Sequence, residues 1–174
     1  MAKKSTIPSF GSPLAGGFFG GEIIIDGERY ALVVAPKAEG EKLNLQYKKK
    51  GLDKVDATDS DDQGLLNSNL INDDNHPAAQ FCRGLQIGGF SDWYLPSRDE
   101  LAIIWRSLGP RRKNTPDLFR EGGTEAFAPE WYWSSTEYAP YSFNAWVVVF
   151  YDGSQFSFSK NGGFGVRAVR RIKL

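Results

Sequence analysis

Phe90-Ser91-Asp92-Trp93-Tyr94-Leu95-Pro96-Ser97-Arg98-Asp99-Glu100-Leu101 is the stretch that decides the fold class. Ser97 stands as a helix N-cap with Glu100 three residues on, the spacing of a capping box. Leu101, Ile104, Trp105 and Leu108 then recur at helical spacing and give one buried face before Gly109-Pro110 ends the helix. Upstream, Pro77 suits the first turn of an earlier helix. Ala78, Phe81, Cys82 and Leu85 make its apolar stripe, and Gly88-Gly89 stops it. Downstream the chain reads as loop from Arg111 to about Glu130, then as strands. These are expected at residues 131–134, 144–151, 155–160 and 166–172, with a hairpin turn at Asp152-Gly153. Two helices ahead of a compact antiparallel sheet make an α+β domain.

Toward the N-terminus, residues 1–21 are rich in Gly, Pro and Ser and read as an extended arm. Residues 22–25 and 29–35 flank Asp26-Gly27, a favoured hairpin turn, and read as a β-hairpin. A short strand is expected at 43–47, and the polar, Asp- and Asn-rich residues 48–75 read as a long loop. The resulting division is an arm with hairpin over 1–47, an acidic loop over 48–75 and the main domain over 76–174.

Composition narrows the function classes. The 174 residues suit one domain with a small N-terminal extension, and 41% hydrophobic residues with twelve Phe, seven Tyr and five Trp can fill a core. Lys plus Arg equals Asp plus Glu at 21 each. That balance argues against a nucleic-acid partner and against a polybasic membrane-surface protein. Cys82 is the only cysteine and His76 the only histidine, which removes an intrachain disulfide, a thiolate metal cluster and the multi-histidine metal sites. No cofactor is expected. The opening residues lack the apolar run of a signal peptide, and no later segment approaches a membrane span. The expectation is a chain made in a cytoplasm, without a signal peptide or membrane insertion.

Four spaced motifs carry a family resemblance: 90–97 with Asp99-Glu100-Leu101, then Tyr132-Trp133-Ser134-Ser135-Thr136-Glu137, then Ala145-Trp146-Val147-Val148 with Asp152-Gly153, and Val166-Arg167-Ala168-Val169-Arg170-Arg171. Together they resemble the DUF1566 family, also called the Lcl C-terminal domain after a collagen-like bacterial adhesin, over roughly 78–172. The resemblance implies a C-type-lectin-like fold related to sulfatase-modifying factors and to the variable proteins of diversity-generating retroelements. Members occur in surface adhesins, one of which binds sulfated glycans, and in phage genomes near tail genes. Gly20-Gly21-Glu22-Ile23-Ile24-Ile25-Asp26-Gly27 with Ala35-Pro36-Lys37-Ala38 looks like the N-terminal part of the phage versions.

Candidate sites follow from residues and resemblance together. Trp93, Trp131, Trp133 and Trp146 could stack sugar rings, but read better as core with internally bonded indoles. Arg167, Arg170 and Arg171 are expected to pair with carboxylates such as Asp99, Glu100 or Glu137; exposed, they would offer a fork for sulfate. Asp56, Asp59, Asp61, Asp62, Asp73 and Asp74 miss calcium-loop spacing and read as a solvated acidic loop. Cys82 with His76 reads as a buried small hydrophobe rather than as a nucleophile and its base. No carboxylate pair stands out as acid and base, and the cysteines or histidines that copper- or iron-dependent relatives need are missing. The expected binding face is Tyr138, Tyr141, Ser142, Phe143, Asn144, Gln155, Phe156, Ser157, Lys160, Asn161 and Phe164, which mix aromatic rings with small hydrogen-bonding groups as paratopes do. In the retroelement variable proteins the diversified positions occupy the corresponding stretch.

The expectation is a non-enzymatic phage virion protein, a tail or capsid appendage whose lectin-like domain binds a host-surface glycan or protein. Its arm would hold other virion proteins or build a homo-oligomer. The alternative is a decoration or assembly protein docking another structural subunit; a bacterial adhesin or a sulfatase-modifying-type enzyme ranks below both.

Overall fold

Asp26 and Gly27 both take left-handed backbone, with φ of 51° and 80°. They close the expected hairpin between β2 (Gly17–Ile25) and β3 (Glu28–Val34). The computed structural model describes residues 7–174, so the first six residues of the expected arm lie outside the described residues. The rest of that arm is not a free extension. Pro13–Leu14 forms β1 on the edge of β2, and β2 itself begins at Gly17, five residues before the expected start.

After β3 come a single helical turn, α1 (Lys37–Gly40), and β4 (Glu41–Gln46). The residues read as a long acidic loop contain a helix, α2 (Gly64–Leu70). Its buried side is Gly64, Asn67 and Ser68, while Leu66 and Leu70 are exposed. Apolar periodicity therefore carries no trace of it. Leu65 alone packs part-buried against the core, and polar bonds hold the rest: Asn67 Nδ2 donates to Ser60 O, and Ser68 Oγ donates to Leu95 O while accepting from Leu95 N–H.

The two expected helices are α3 (Pro77–Arg83) and α4 (Arg98–Leu108). Gly84 caps α3, so the stop comes earlier than Gly88-Gly89. That pair, at φ 61° and 82°, turns a small bridge between Ile87 and Phe90 instead. In α4 both halves of the capping box are made, and Leu101, Ile104 and Leu108 are fully buried. A 3-10 turn (Asp117–Phe119) lies in the loop that follows.

The last third supplies β5 (Trp131–Glu137), β6 (Asn144–Val149), β7 (Gln155–Ser159), β8 (Gly163–Arg167) and β9 (Val169–Lys173). The single expected closing strand is thus two. Ala168 is the corner: its N–H bonds Gly40 O and its carbonyl accepts from Ala35 N–H. One sheet runs β1-β2-β3-β9 and the other β4-β8-β5-β6-β7, antiparallel except for the β5–β8 pair. Among the described residues the molecule is an α+β domain with two sheets and four α-helices, rather than the expected single sheet, hairpin and two helices. The segments expected to be separate parts are interleaved, because β3 pairs with β9 and β4 with β8.

Two cores result. One gathers Trp93, Trp133, Tyr47, Val147 and Val166 beneath α3; the other packs Leu101, Ile104 and Leu108 of α4 against Leu32, Val34, Tyr132 and Phe150. Trp93 and Trp133 are fully buried and donate their indole N–H to Phe90 O and Leu45 O. Arg167 and Arg170 are buried and paired, but not with the expected carboxylates. Arg167 holds Glu41 and Glu125, and Arg170 forks onto Asp92. The guanidinium of Arg171 lies over the Tyr30 ring.

Candidate functional site

Between β5 and β6 the chain turns through residues 138–143 on its own backbone bonds. Tyr138 N–H donates to Asn144 O, Tyr141 N–H to Tyr138 O, and Asn144 N–H to Tyr141 O. Ser142 Oγ ties the turn to Asp53 O. At its tip Tyr141 and Phe143 are stacked, centroids 5.1 Å apart, yet 53% and 39% exposed. Two rings left in water beside each other present a pre-organised apolar contact.

Beneath the loop lies a buried charge cluster. Asp56 bonds Lys48 and Lys160 through its two oxygens, Lys160 lies 3.5 Å from Glu137, and Asp56 N–H donates to Glu137 Oε2 at 2.6 Å. Tyr47 closes it with its hydroxyl on Thr58 and on Ser135 O. Burial alone would raise the Asp56 pKa, but the His76 ring 3.3 Å away and hydrogen bonds from Lys160 and Lys48 outweigh it and hold the carboxyl well below the usual range. The expected solvated acidic run is therefore wrong at Asp56, which joins residues 48–58 to the end of β5 and the end of β7. It is also wrong for Lys160 as a binding residue: the side chain is 0% exposed and neutralises this cluster.

Alternation along β6 and β7 sorts the remaining expected site residues onto two faces. Trp146 pairs with Ser157, and Ala145 with Phe158. On the first face Trp146 is flanked by Tyr138 edge-on at 5.1 Å and by the Arg98 guanidinium at 3.8 Å. Arg98 Nε donates to Gln155 Oε1, and Asn144 Nδ2 to Ser157 Oγ. Tyr138, Asn144, Gln155 and Ser157 thus come together next to the Tyr141–Phe143 tip. On the opposite face Phe156 and Phe158, 49% and 41% exposed, lean on Trp131 at 5.8 and 5.7 Å, with Phe164 beside it at 5.3 Å. Pro129, Glu130, Trp131, Phe158 and Phe164 line a shallow concavity of about 410 Å³ there. Asn161 lies apart on the β7–β8 turn, accepting from Ser159 Oγ and Gln46 Nε2.

Sequence reasoning missed Trp146, Arg98, Trp131 and Phe158. Reading all four tryptophans as core holds for Trp93 and Trp133 but not for Trp131 and Trp146, which are half-buried. The strict alternation Gln155-Phe156-Ser157-Phe158-Ser159 was the available signal that the expected face is two faces. Cys82 is fully buried on α3, and burial pushes its thiol pKa far above the ordinary value. His76 Nδ1 bonds Asp73 at 2.8 Å, while Cys82 belongs to the core beneath α3. Among the described residues no group of three or more His, Cys, Asp or Glu side chains is placed to hold a metal ion, and no helix is long and apolar enough to cross a membrane.

No curated protein matches the chain. The family model described as the Lcl C-terminal domain matches residues 42–170. That span runs from β4 into β9 and contains every residue of the loop and of both aromatic faces, so the chain belongs to the Lcl C-terminal domain family.

Proposed function

We propose that this protein is a non-enzymatic recognition module of a phage virion, a tail or capsid appendage that binds a host-surface glycan or protein. The observation that carries the reading is the stacked, exposed Tyr141–Phe143 pair on a loop braced from below by the Asp56 cluster. Beside it lies a polar aromatic surface made by Trp146, Tyr138, Arg98, Asn144, Gln155 and Ser157. Rigid rings with adaptable amide and hydroxyl groups around them are what a recognition surface needs. The titratable side chains of Asp56, Glu100, Lys160 and Arg167 are buried, where their bonds hold the chain together. The virion setting rests on the family resemblance and on the phage-like Gly20–Gly27 and Ala35–Ala38 motifs.

The test is binding of the full chain to a glycan array that includes sulfated polysaccharides, and to whole bacterial cells. A Tyr141→Ala, Phe143→Ala variant should lose about tenfold or more in affinity, equivalent to at least ~1.4 kcal/mol. Phe164→Ala, on the opposite face, should bind as the wild type does. Equal binding by both variants would remove the proposed surface. Docking of a neighbouring virion subunit uses the same exposed rings, and would appear as protection of Tyr141 and Phe143 in assembled particles.

A further inference from the structure

β7 is the outer strand of the five-stranded sheet, and its phase against β6 determines which backbone groups are free. Val149 N–H donates to Ser154 O and Lys160 N–H donates to Phe143 O. The hydrogen-bonded pairs of this ladder are therefore 149/154, 147/156, 145/158 and 143/160. Gln155, Ser157 and Ser159 consequently turn their N–H and C=O groups outward, away from β6. Ser159 O is used by Gly162 N–H; the other five groups have no partner among the described residues.

Natural edges of this kind are usually guarded by a charge, a proline or a bulge. β7 has none of these: its sequence is Gln-Phe-Ser-Phe-Ser and its register is regular. The adjacent lysine, Lys160, is turned inward onto Asp56 and leaves the edge unguarded. The strand is also its own complement. Centred on Ser157, an antiparallel copy sets Ser157 against Ser157 in a hydrogen-bonded pair and Gln155 against Ser159. Phe156 then meets Phe158 of the other copy in the closely spaced pair between them, on one face. These are the two phenylalanines the single chain leaves 49% and 41% exposed. Zero formal net charge places no long-range repulsion between copies.

We propose that two copies of this chain pair β7 to β7, antiparallel about Ser157, and join their sheets into one of ten strands. The two-fold axis is perpendicular to the sheet, so the Trp146 faces of both copies lie on the same side and form a bivalent surface. The pairing does not depend on the recognition reading, and a Tyr141→Ala, Phe143→Ala variant should still pair.

Analytical ultracentrifugation of the full chain over a concentration series tests this. The wild type should sediment as a dimer at the upper end of the series. Ser157→Pro, which removes an outward N–H where an edge tolerates proline, should be monomeric with an unchanged far-UV circular dichroism spectrum. Phe158→Lys should weaken association tenfold or more, while Ser157→Ala should leave it intact. A wild type that is monomeric throughout overturns the proposal, as does a folded Ser157→Pro variant that remains dimeric. Should Ser157→Pro lose its fold, a Phe158→Lys variant as dimeric as the wild type overturns it.

Discussion

Asp56 shows how much one buried side chain can organise. Its carboxylate faces two lysines and a histidine ring nitrogen, and its backbone is tied to Glu137. Removing one partner from such a cluster strands the others in a medium that solvates them poorly. Asp56→Asn is therefore expected to cost about 3–5 kcal/mol, read as a shift of the urea midpoint. The pH dependence follows from the depressed carboxyl pKa: its contribution is complete above the ordinary carboxylate value and is lost as pH falls through the lower folded value. Glu100 has the opposite sign. Burial pushes it up to about 7, against bonds from Ser97 N–H and the Tyr94 hydroxyl. The protonated form suits the fold, so stability is full below the ordinary value of 4.5 and declines as pH rises through about 7. The decline amounts to about 3 kcal/mol. Glu100→Gln keeps an N3 group that can complete the capping box but cannot ionise. Thermal denaturation from pH 4 to 8 should show the wild type falling relative to this variant; parallel curves would mean that Glu100 buries its charge without cost.

At the scale of elements, α4 and α2 differ in what announces them. α4 has its capping box and a stripe of Leu101, Ile104 and Leu108, and all of that is local, so it is legible from the chain alone. α2 is legible in none of these ways, because its buried side is Gly64, Asn67 and Ser68, and its role is to seat its first residue on the cap of α4. A Cβ on Gly64 would collide with the Glu100 carboxylate and with Ser97 N. Gly64→Ala should accordingly destabilise by about 1–3 kcal/mol, the usual cost of overpacking, although alanine is the better helix former. Thermal denaturation measures it; a neutral or stabilising effect would show that the α2–α4 junction has room to relax. The binding surface has the same mixed legibility. The turn at residues 138–143 and its mixed aromatic and polar composition could be read directly. The division of β7 into two faces required its alternation to be taken literally, and the inward turn of Lys160 required knowing where Asp56 would be.

For the whole molecule, the decisive pairings are the long-range ones, which no local pattern carries. The residues matched by the family, 42–170, omit β1 to β3 entirely. Yet among the described residues β3 is the only neighbour of β9 in the four-stranded sheet, from Tyr30–Lys173 to Val34–Val169. Arg167 also depends on this segment, since its Nε donates to Ala35 O at 2.7 Å and its guanidinium sits 1% exposed between Glu41 and Glu125. Leu32 and Val34 belong to the core under α4, so their removal would uncover Leu101, Ile104 and Leu108. A fragment beginning at residue 42 thus loses a strand partner, one wall of a core and two partners of a buried arginine, Ala35 O and Glu41, at once. Each of the last two is of the class that single substitutions show to cost several kcal/mol, against a total stability of about 5–15 kcal/mol for a domain. The fragment should therefore fail to unfold cooperatively in urea and should be cleaved rapidly by protease, whereas the full chain should unfold in one transition. Cooperative unfolding of the shorter fragment would mean that the N-terminal hairpin is an accessory after all, as its Gly- and Pro-rich approach suggests, and that β9 can hold its place through the Tyr94–Val169 bridge alone.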